Sequence, residues 1–275
     1  MTGVIKKIAK QIIGYCTRKI NGPYVESLIV KTEHGVFAVA QDDLTVGWQL
    51  RRSAKYGINE LQWLHPYLKR ETSVLVVGAH IGSLAIPISR LCKEVVAIEA
   101  NPHTFNLLRQ NILLNELTNC TAINIAASDK EETISFLLNK INSGGSKRTP
   151  VKKEYAYYYD NPTEIKVQAY SIDEYLSARH FDIVIMDIEG SEYFALKGMQ
   201  RILSNTNILA VEFLPHHLRN VSGVSIEEFS SVIIPHFKNV YIPSKKTNTE
   251  ASAILAKLSD MYSRNQEEDM ILFLK

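Results

Sequence analysis

The chain has 275 residues, 45% hydrophobic and 22% charged, with a net charge of +2, the balance of a globular protein able to bury a sizeable core. That charge balance gives no ground for a nucleic-acid partner, and no apolar run approaches the roughly 20 residues of a membrane span. Three cysteines, Cys16, Cys92 and Cys120, match no metal or disulfide framework and read as a reduced, cytosolic setting, and no signal peptide is expected at the N-terminus.

Residues 4–20 read as a helix with Val4, Ile5, Ile8, Ile12 and Ile13 on one face. Residues 1–20 carry Lys6, Lys7, Lys10, Arg18 and Lys19 and no acid. Such a helix either packs on the domain or rests on an anionic membrane surface as a peripheral contact. Asn21-Gly22-Pro23 ends it. Leu28–Val30 and Val36–Val39 read as a hairpin around Glu33-His34-Gly35. Residues 43–69 read as helical, with Leu50, Ile58, Leu61, Leu64 and Leu68 as the apolar set. Residues 1–70 are thus expected to form an N-terminal helix and hairpin cap on a main domain of residues 71–275.

From Ser73 the pattern alternates. Strands fall near 74–77, 95–98, 121–125, 183–187 and 208–213, and helices near 83–91, 103–115, 173–177 and 191–203. Strands separated by helices imply parallel βαβ units. The expected fold is therefore α/β, with a doubly wound, mostly parallel, Rossmann-like sheet. Residues 139–164 break the rhythm as a loop insertion beside the carboxyl edge of the sheet. There Asn142-Ser143-Gly144-Gly145-Ser146 is followed by Lys147, Arg148, Lys152 and Lys153, then Tyr155, Tyr157, Tyr158 and Tyr159. The segment reads either as a substrate lid, its tyrosines stacking on sugar faces, or as a surface loop without a direct role. A helical piece near 225–234, a strand near 239–242, a polar stretch 244–250 and a final strand Met270–Leu274 suit an antiparallel closing edge.

The strand Val74–Val77 breaks into Gly78-Ala79-His80-Ile81-Gly82 and then a helix, and the next strand ends in Glu99, 21 residues after Gly78. An acid at that distance is placed to hold ribose hydroxyls. The Gly-x-x-x-Gly spacing lacks the third glycine that seats a dinucleotide pyrophosphate. It suits a nucleoside without phosphates, with S-adenosyl-L-methionine as the leading candidate. Gly78 is expected to make the tight turn and Gly82 to let the helix approach the ligand. Asp129, after the third strand, is placed to accept the adenine amino group.

Asp187-Ile188-Glu189-Gly190-Ser191-Glu192 delivers three carboxylates from an apolar strand to a helix start. Capping explains Glu192. Asp187 sits at the carboxyl end of a strand, where ligands of open α/β sheets bind, and is expected to act directly. The following strand ends in Glu212, ahead of His216 and His217, one of which could serve as a general base. Asp187, Glu189, Glu212 and a histidine could together hold a divalent cation through hard ligands, but their spacing is not diagnostic and no metal ligand is assigned.

These blocks together resemble the FkbM-type family of S-adenosylmethionine-dependent methyltransferases, from about Asn59-Glu60 to Glu212. Val77-Gly78-Ala79-His80-Ile81-Gly82 is similar to that family's Gly-Ala-Asn-Ile-Gly turn. Ala97-Ile98-Glu99-Ala100-Asn101-Pro102 is similar to its Phe-Glu-Pro-Asn-Pro segment, and Asn111–Leu117 to its Asn-x-x-x-Asn helix end. Ser171-Ile172-Asp173 is similar to its Thr-Leu-Asp segment. Met186–Glu192, continuing to Leu196-Lys197-Gly198, is similar to its most specific signature. The resemblance implies a class I methyltransferase fold. It also implies a cofactor-binding set of Glu60, Gly78, Ala79, His80, Gly82, Glu99, Ala100, Asn101, Ser128, Asp129 and Asp187, with Asp187 nearest the transferred methyl. Two departures stand out: Val76 replaces an acid that usually orders the cofactor's amino-acid end, for which Glu60 could stand in, and His80 replaces the common Asn.

The implied reaction is O-methyl transfer to a sugar, glycan or related natural-product hydroxyl. Asp187 and His216 are the first candidates to remove the hydroxyl proton, with Glu189 and Glu212 behind them. The competing readings are a non-catalytic scaffold on the same fold and an NAD-dependent oxidoreductase. The expected partner is a small-molecule or glycan acceptor, and the sequence leaves the oligomeric state open.

Overall fold

The computed structural model describes residues 12, 13, 15–22 and 24–275. Residues 12, 13 and 15–21 are helical. The rest of the helix expected over 4–20, with Val4, Ile5 and Ile8, lies outside the described residues. Two antiparallel strands follow, β1 (Ser27–Thr32) and β2 (Gly35–Ala40). The helix expected over 43–69 divides into Val46–Ser53 and Ile58–Leu64, because Ala54 and Gly57 both take left-handed backbone conformations that no helix continues through.

The main sheet begins with β3 (Ser73–Val77), β4 (Glu94–Ile98) and β5 (Cys120–Ile123). The chain then leaves it for β6 (Ala126–Ser128), β7 (Glu132–Leu138), β8 (Lys147–Arg148) and β9 (Thr163–Ser171). It returns with β10 (Ile183–Met186) and β11 (Ile208–Phe213), and closes with β12 (Asn239–Ile242), β13 (Thr247–Glu250) and β14 (Glu268–Leu274). The eight-stranded order is β13-β12-β14-β11-β10-β3-β4-β5. From β11 through β5 every pairing is parallel, and β14, β12 and β13 add an antiparallel edge. This is a doubly wound, mostly parallel α/β sheet.

Parallel strands covered on both faces read as continuous apolar runs, and β3 shows why. Val74 and Val76 enter the core on one face with Ile183 and Ile185, while Leu75 and Val77 enter the other with Val184 and Met186. Each such side chain contributes about 1.5–3 kcal/mol by leaving water. The chain steps from β3 outward to β5 and later returns on the opposite side of β3 with β10. The carboxyl ends of β3 and β10 therefore flank the switch point where ligands of such sheets bind.

Three features depart from the expected pattern. The segment after β5 is organised by a second sheet, β6-β9-β7-β8, with β7 and β9 antiparallel over their full lengths. Residues 139–164 thus form an arm held at both ends by paired strands. The helix expected over 191–203 is two helices, Glu192–Lys197 and Gln200–Asn205. It breaks where the Gly198 carbonyl accepts from the Asp173 amide and the Ser171 hydroxyl instead of from its own helix. A helix over Ala251–Ser263, burying Ile254, Leu258 and Met261, was not anticipated. Among the described residues no helix is long and apolar enough to cross a membrane.

The hairpin is fastened to the helix Pro102–Leu114. Asn111 accepts from the Ala38 amide at 2.6 Å and donates to the Ala38 carbonyl at 3.1 Å and the Ile81 carbonyl at 2.8 Å. Asn115, the residue after that helix, does the same for Val36, at 3.0 and 2.7 Å. Phe37, Val39, Val46 and Leu50 then share a core with Ile81 and Ile86.

Candidate functional site

A cavity of about 250 Å3 opens at the switch point. Its floor is the turn after β3. Gly78 has φ of +85°, and a Cβ there would lie 1.8 Å from the Asp187 carbonyl oxygen. The close backbone approach that glycine permits is thus to the end of β10, and it brings Asp187 up to the turn. His80 follows with φ of +52°, a left-handed conformation in which Asn and His are both enriched. That preference accounts for a histidine standing where the family has asparagine.

Glu99 is buried at the end of β4 and lines the cavity. Its Oε2 accepts from the His80 amide at 2.7 Å, and its Oε1 accepts from the Asn101 amide at 2.8 Å and the Thr104 hydroxyl at 3.0 Å. A carboxylate offers about four acceptor positions, so the one left lies on Oε2. Apolar wall comes from Ile98, Ile125, Ala126 and Phe136. Glu60 and Asp269 line the cavity as well. Burial raises the Glu60 pKa, and the neighbouring Asp269 adds to it. Val76 also lines the cavity, so Glu60 and Asp269 supply acid where that position does not.

The arm after β7 closes one side through Asn142, Ser143, Gly144 and Ser146. Ser143 gives its hydroxyl proton to Asp43 and lies 2.7 Å from His80 Nε2, from which it accepts. The other oxygen of Asp43 takes the Thr45 and Gly47 amides at the start of the helix Val46–Ser53. One hydroxyl therefore joins the cap, the arm and the turn after β3. The tyrosines expected as a stacking platform stand elsewhere. None of the four lines the cavity, and Tyr157 is buried with its ring 5.6 Å from both Lys147 Nζ and the His217 ring.

At the inner end stand Asp187, Glu189 and Glu212. Asp187 presents its surface to the cavity and is enclosed by protein elsewhere. Its carboxyl hydrogen-bonds that of Glu212. Burial raises both pKa values, and the Asp187–Glu212 contact lowers that of Asp187 and raises that of Glu212 further. The pair titrates as a unit. Glu189 has φ of +56°, a strained conformation costing about 1–3 kcal/mol for a non-glycine residue. Lys147, 5% exposed, reaches it at 2.9 Å. Glu192 accepts the Ile188 and Gly190 amides and so holds this loop.

Several expected residues stand elsewhere, each with an internal partner. Gly82 is off the cavity wall, packed against Leu108 and Ile86. Asn101 caps the helix Pro102–Leu114 by accepting the His103 amide. Ser128 donates to Glu132 at 2.8 Å, and Asp129 is taken by Lys197 at 2.9 Å. None of these four lines the cavity. His216 does not line it either. Pro215 starts a short helix, Pro215–His217, whose successive side chains diverge by about 100°. His216 turns to Glu267 at 3.1 Å, while His217 turns inward to lie 3.3 Å from Glu189. Gly190 makes room, since a Cβ there would lie 2.9 Å from His217 Cβ. His217, Lys147, Asp43 and Asp269 were not assigned from sequence.

Residues 77–242 match the family model of the methyltransferase FkbM domain. A probable ribosomal RNA small subunit methyltransferase A of Methanosphaera stadtmanae is 39% identical over 51 residues, 18% of this chain and 19% of that protein. Among solved structures, methyltransferase FkbM from Methylobacillus flagellatus KT is similar at 17% identity and a TM-score of 0.40, covering 74% of this chain and 44% of that one. An rRNA methylase from Streptococcus thermophilus is similar at 14% identity and a TM-score of 0.44, covering 80% of this chain and 97% of that one. This chain thus spans about a fifth of the ribosomal RNA enzyme and under half of the Methylobacillus protein.

Proposed function

The chain belongs to the methyltransferase FkbM domain family, and on that premise we propose that it is an S-adenosylmethionine-dependent methyltransferase acting on a hydroxyl of a sugar, a glycan or a related natural product. The observation that carries this reading is the position of Asp187. It lies at the switch point, against the turn that follows β3, with a carboxyl whose pKa is raised.

The family's cofactor is S-adenosylmethionine, and the cavity has the chemistry to take it. Glu99 has one acceptor position for a ribose hydroxyl, the apolar wall at Ile98, Ile125 and Phe136 suits a purine, and Glu60 with Asp269 suits an ammonium group. When bound, the cofactor supplies an electrophilic methyl group on a sulfonium. The chain's own task is to orient the acceptor, exclude water and take the hydroxyl proton. Asp187 is the base in this scheme, with its carboxyl on the cavity wall beside Glu212. Glu189, paired with Lys147, orients the acceptor.

Calorimetric titration with S-adenosylmethionine, S-adenosylhomocysteine and NAD tests the reading. Binding of the two adenosyl compounds and not of NAD is expected, followed by transfer of labelled methyl to a glycan hydroxyl. Binding of NAD alone would point to a dehydrogenase, and binding of none of the three to a scaffold.

A further inference from the structure

Glu189, Glu212 and His217 each offer one ligand atom, a carboxylate oxygen or a ring nitrogen, and these atoms lie within 4.8 Å of one another. Among the described residues they are the only three such side chains that converge in this way. His217 is 5% exposed, and its Nδ1 has no hydrogen-bond partner although Glu189 Oε2 lies 3.3 Å away. A buried polar atom left without a partner costs about 1–3 kcal/mol.

The charges point the same way. Asp187, Glu189, Glu192 and Glu212 meet around this point, and among the described residues Lys147 is the one cation in contact, spent on Glu189. The remaining carboxyls need protons or a cation. Glu189 and Glu212 both line the cavity, so an ion has an entry path and open positions facing a ligand.

We propose that Glu189, Glu212 and His217 bind a divalent cation at the inner end of the cavity. Two carboxylates with one imidazole suit Mn2+ or Zn2+ better than Ca2+ or Mg2+, which favour all-oxygen shells. The sequence offers Asp187, Glu189, Glu212 and a histidine as a possible cation set without assigning ligands, because Glu189 follows β10, Glu212 lies in β11 and His217 in the helix Pro215–His217, and no spacing among them is a motif. The cation's role rests on the methyltransferase reading. Beside Asp187 it lowers the pKa of an acceptor hydroxyl and eases removal of its proton.

The test is a titration of chelator-stripped protein with MnCl2. Free Mn2+ is followed by electron paramagnetic resonance, and S-adenosylhomocysteine binding is measured on the same samples. One Mn2+ per chain is expected, weakened at least about tenfold in His217→Ala and Glu212→Gln. Glu267→Gln, which alters only the surface partner of His216, leaves it unchanged. Should either site variant fail to fold, paramagnetic broadening of the His217 ring signals in the unaltered protein gives the same answer. No Mn2+ binding, or equal affinity in both site variants, overturns the cation site. Absence of Mn2+ binding by the unaltered protein, with its S-adenosylhomocysteine binding intact, refutes the cation site alone. Mn2+ binding without S-adenosylhomocysteine binding refutes the methyltransferase reading alone.

Discussion

Asn111 and Asn115 stand four residues apart at the end of one helix and hydrogen-bond Ala38 and Val36, two residues apart on β2. Four helical residues rise about 6 Å, and two strand residues advance about 6.6 Å. Two side-chain amides therefore act toward β2 as a neighbouring strand would. An Asn-x-x-x-Asn spacing is the only helical spacing whose rise comes close to that strand repeat on one face.

Removal of this pairing is expected to destabilise the fold. Asn111 is fully buried, and Asn111→Ala leaves the Ala38 amide and carbonyl and the Ile81 carbonyl without it. At about 1–3 kcal/mol for a buried group left unsatisfied, we expect a loss of about 2–4 kcal/mol in urea unfolding. Asn115→Ala, at a half-buried position, should cost about 1 kcal/mol. Equal, small effects at the two sites would refute the pairing as a source of stability.

Gly78→Ala is expected to damage the site before the fold. Its φ of +85° and the Asp187 carbonyl 1.8 Å from the new Cβ force β3 and β10 apart at their ends. The backbone strain alone amounts to about 1–2 kcal/mol. S-adenosylhomocysteine affinity should fall at least about tenfold, or 1.4 kcal/mol. Calorimetry with unchanged affinity would remove Gly78 from the cavity floor.

Glu192 gives stability a pH dependence of defined sign. Burial pushes its pKa to about 7, against about 4.3 in an unfolded chain. Between those values the folded protein keeps a proton that the unfolded chain has lost. Stability therefore falls as pH rises from about 4 to 7 and is level above. Glu192→Gln keeps an acceptor for the Ile188 and Gly190 amides and removes the slope. We expect the variant to gain on the unaltered protein by roughly 3 kcal/mol between pH 4 and pH 8. Urea midpoints that shift equally at both pH values would contradict this.

Asp187→Asn is expected to lower methyl transfer by about 100-fold or more while S-adenosylhomocysteine binding changes little. In the unaltered protein, turnover should rise with pH as the Asp187–Glu212 pair loses its first proton, near neutrality because burial and Glu189 raise the Asp187 pKa to about 7. Full turnover in the variant would exclude Asp187 as base.

The strands that build the floor were readable because parallel strands buried on both faces leave continuous apolar runs, as at Val74–Val77 and Ile183–Met186. The acids at their ends were readable because those ends face the ligand. Other residues were not, for physical reasons. Lys147 follows a Gly-Ser turn and reads as solvated until Glu189, 42 positions away, is known to meet it. Which histidine faces inward depends on Pro215 starting a helix, which the spacing of the pair does not reveal. Asp129 sat at the expected strand end, but Lys197 claims it from another helix. The helix Ala251–Ser263 carried its period in Ile254, Leu258 and Met261 and was masked by the polar residues before it.

The cavity is assembled from two kinds of chain. Its floor at Gly78, Glu99 and Asp187 lies inside the stretch the family model matches, residues 77–242, whereas Tyr56, Glu60 and Asp269 come from either side of it. The stretch that identifies the family therefore supplies the floor and the arm but not the whole wall, and the cavity is complete only when both flanks of that stretch fold against it.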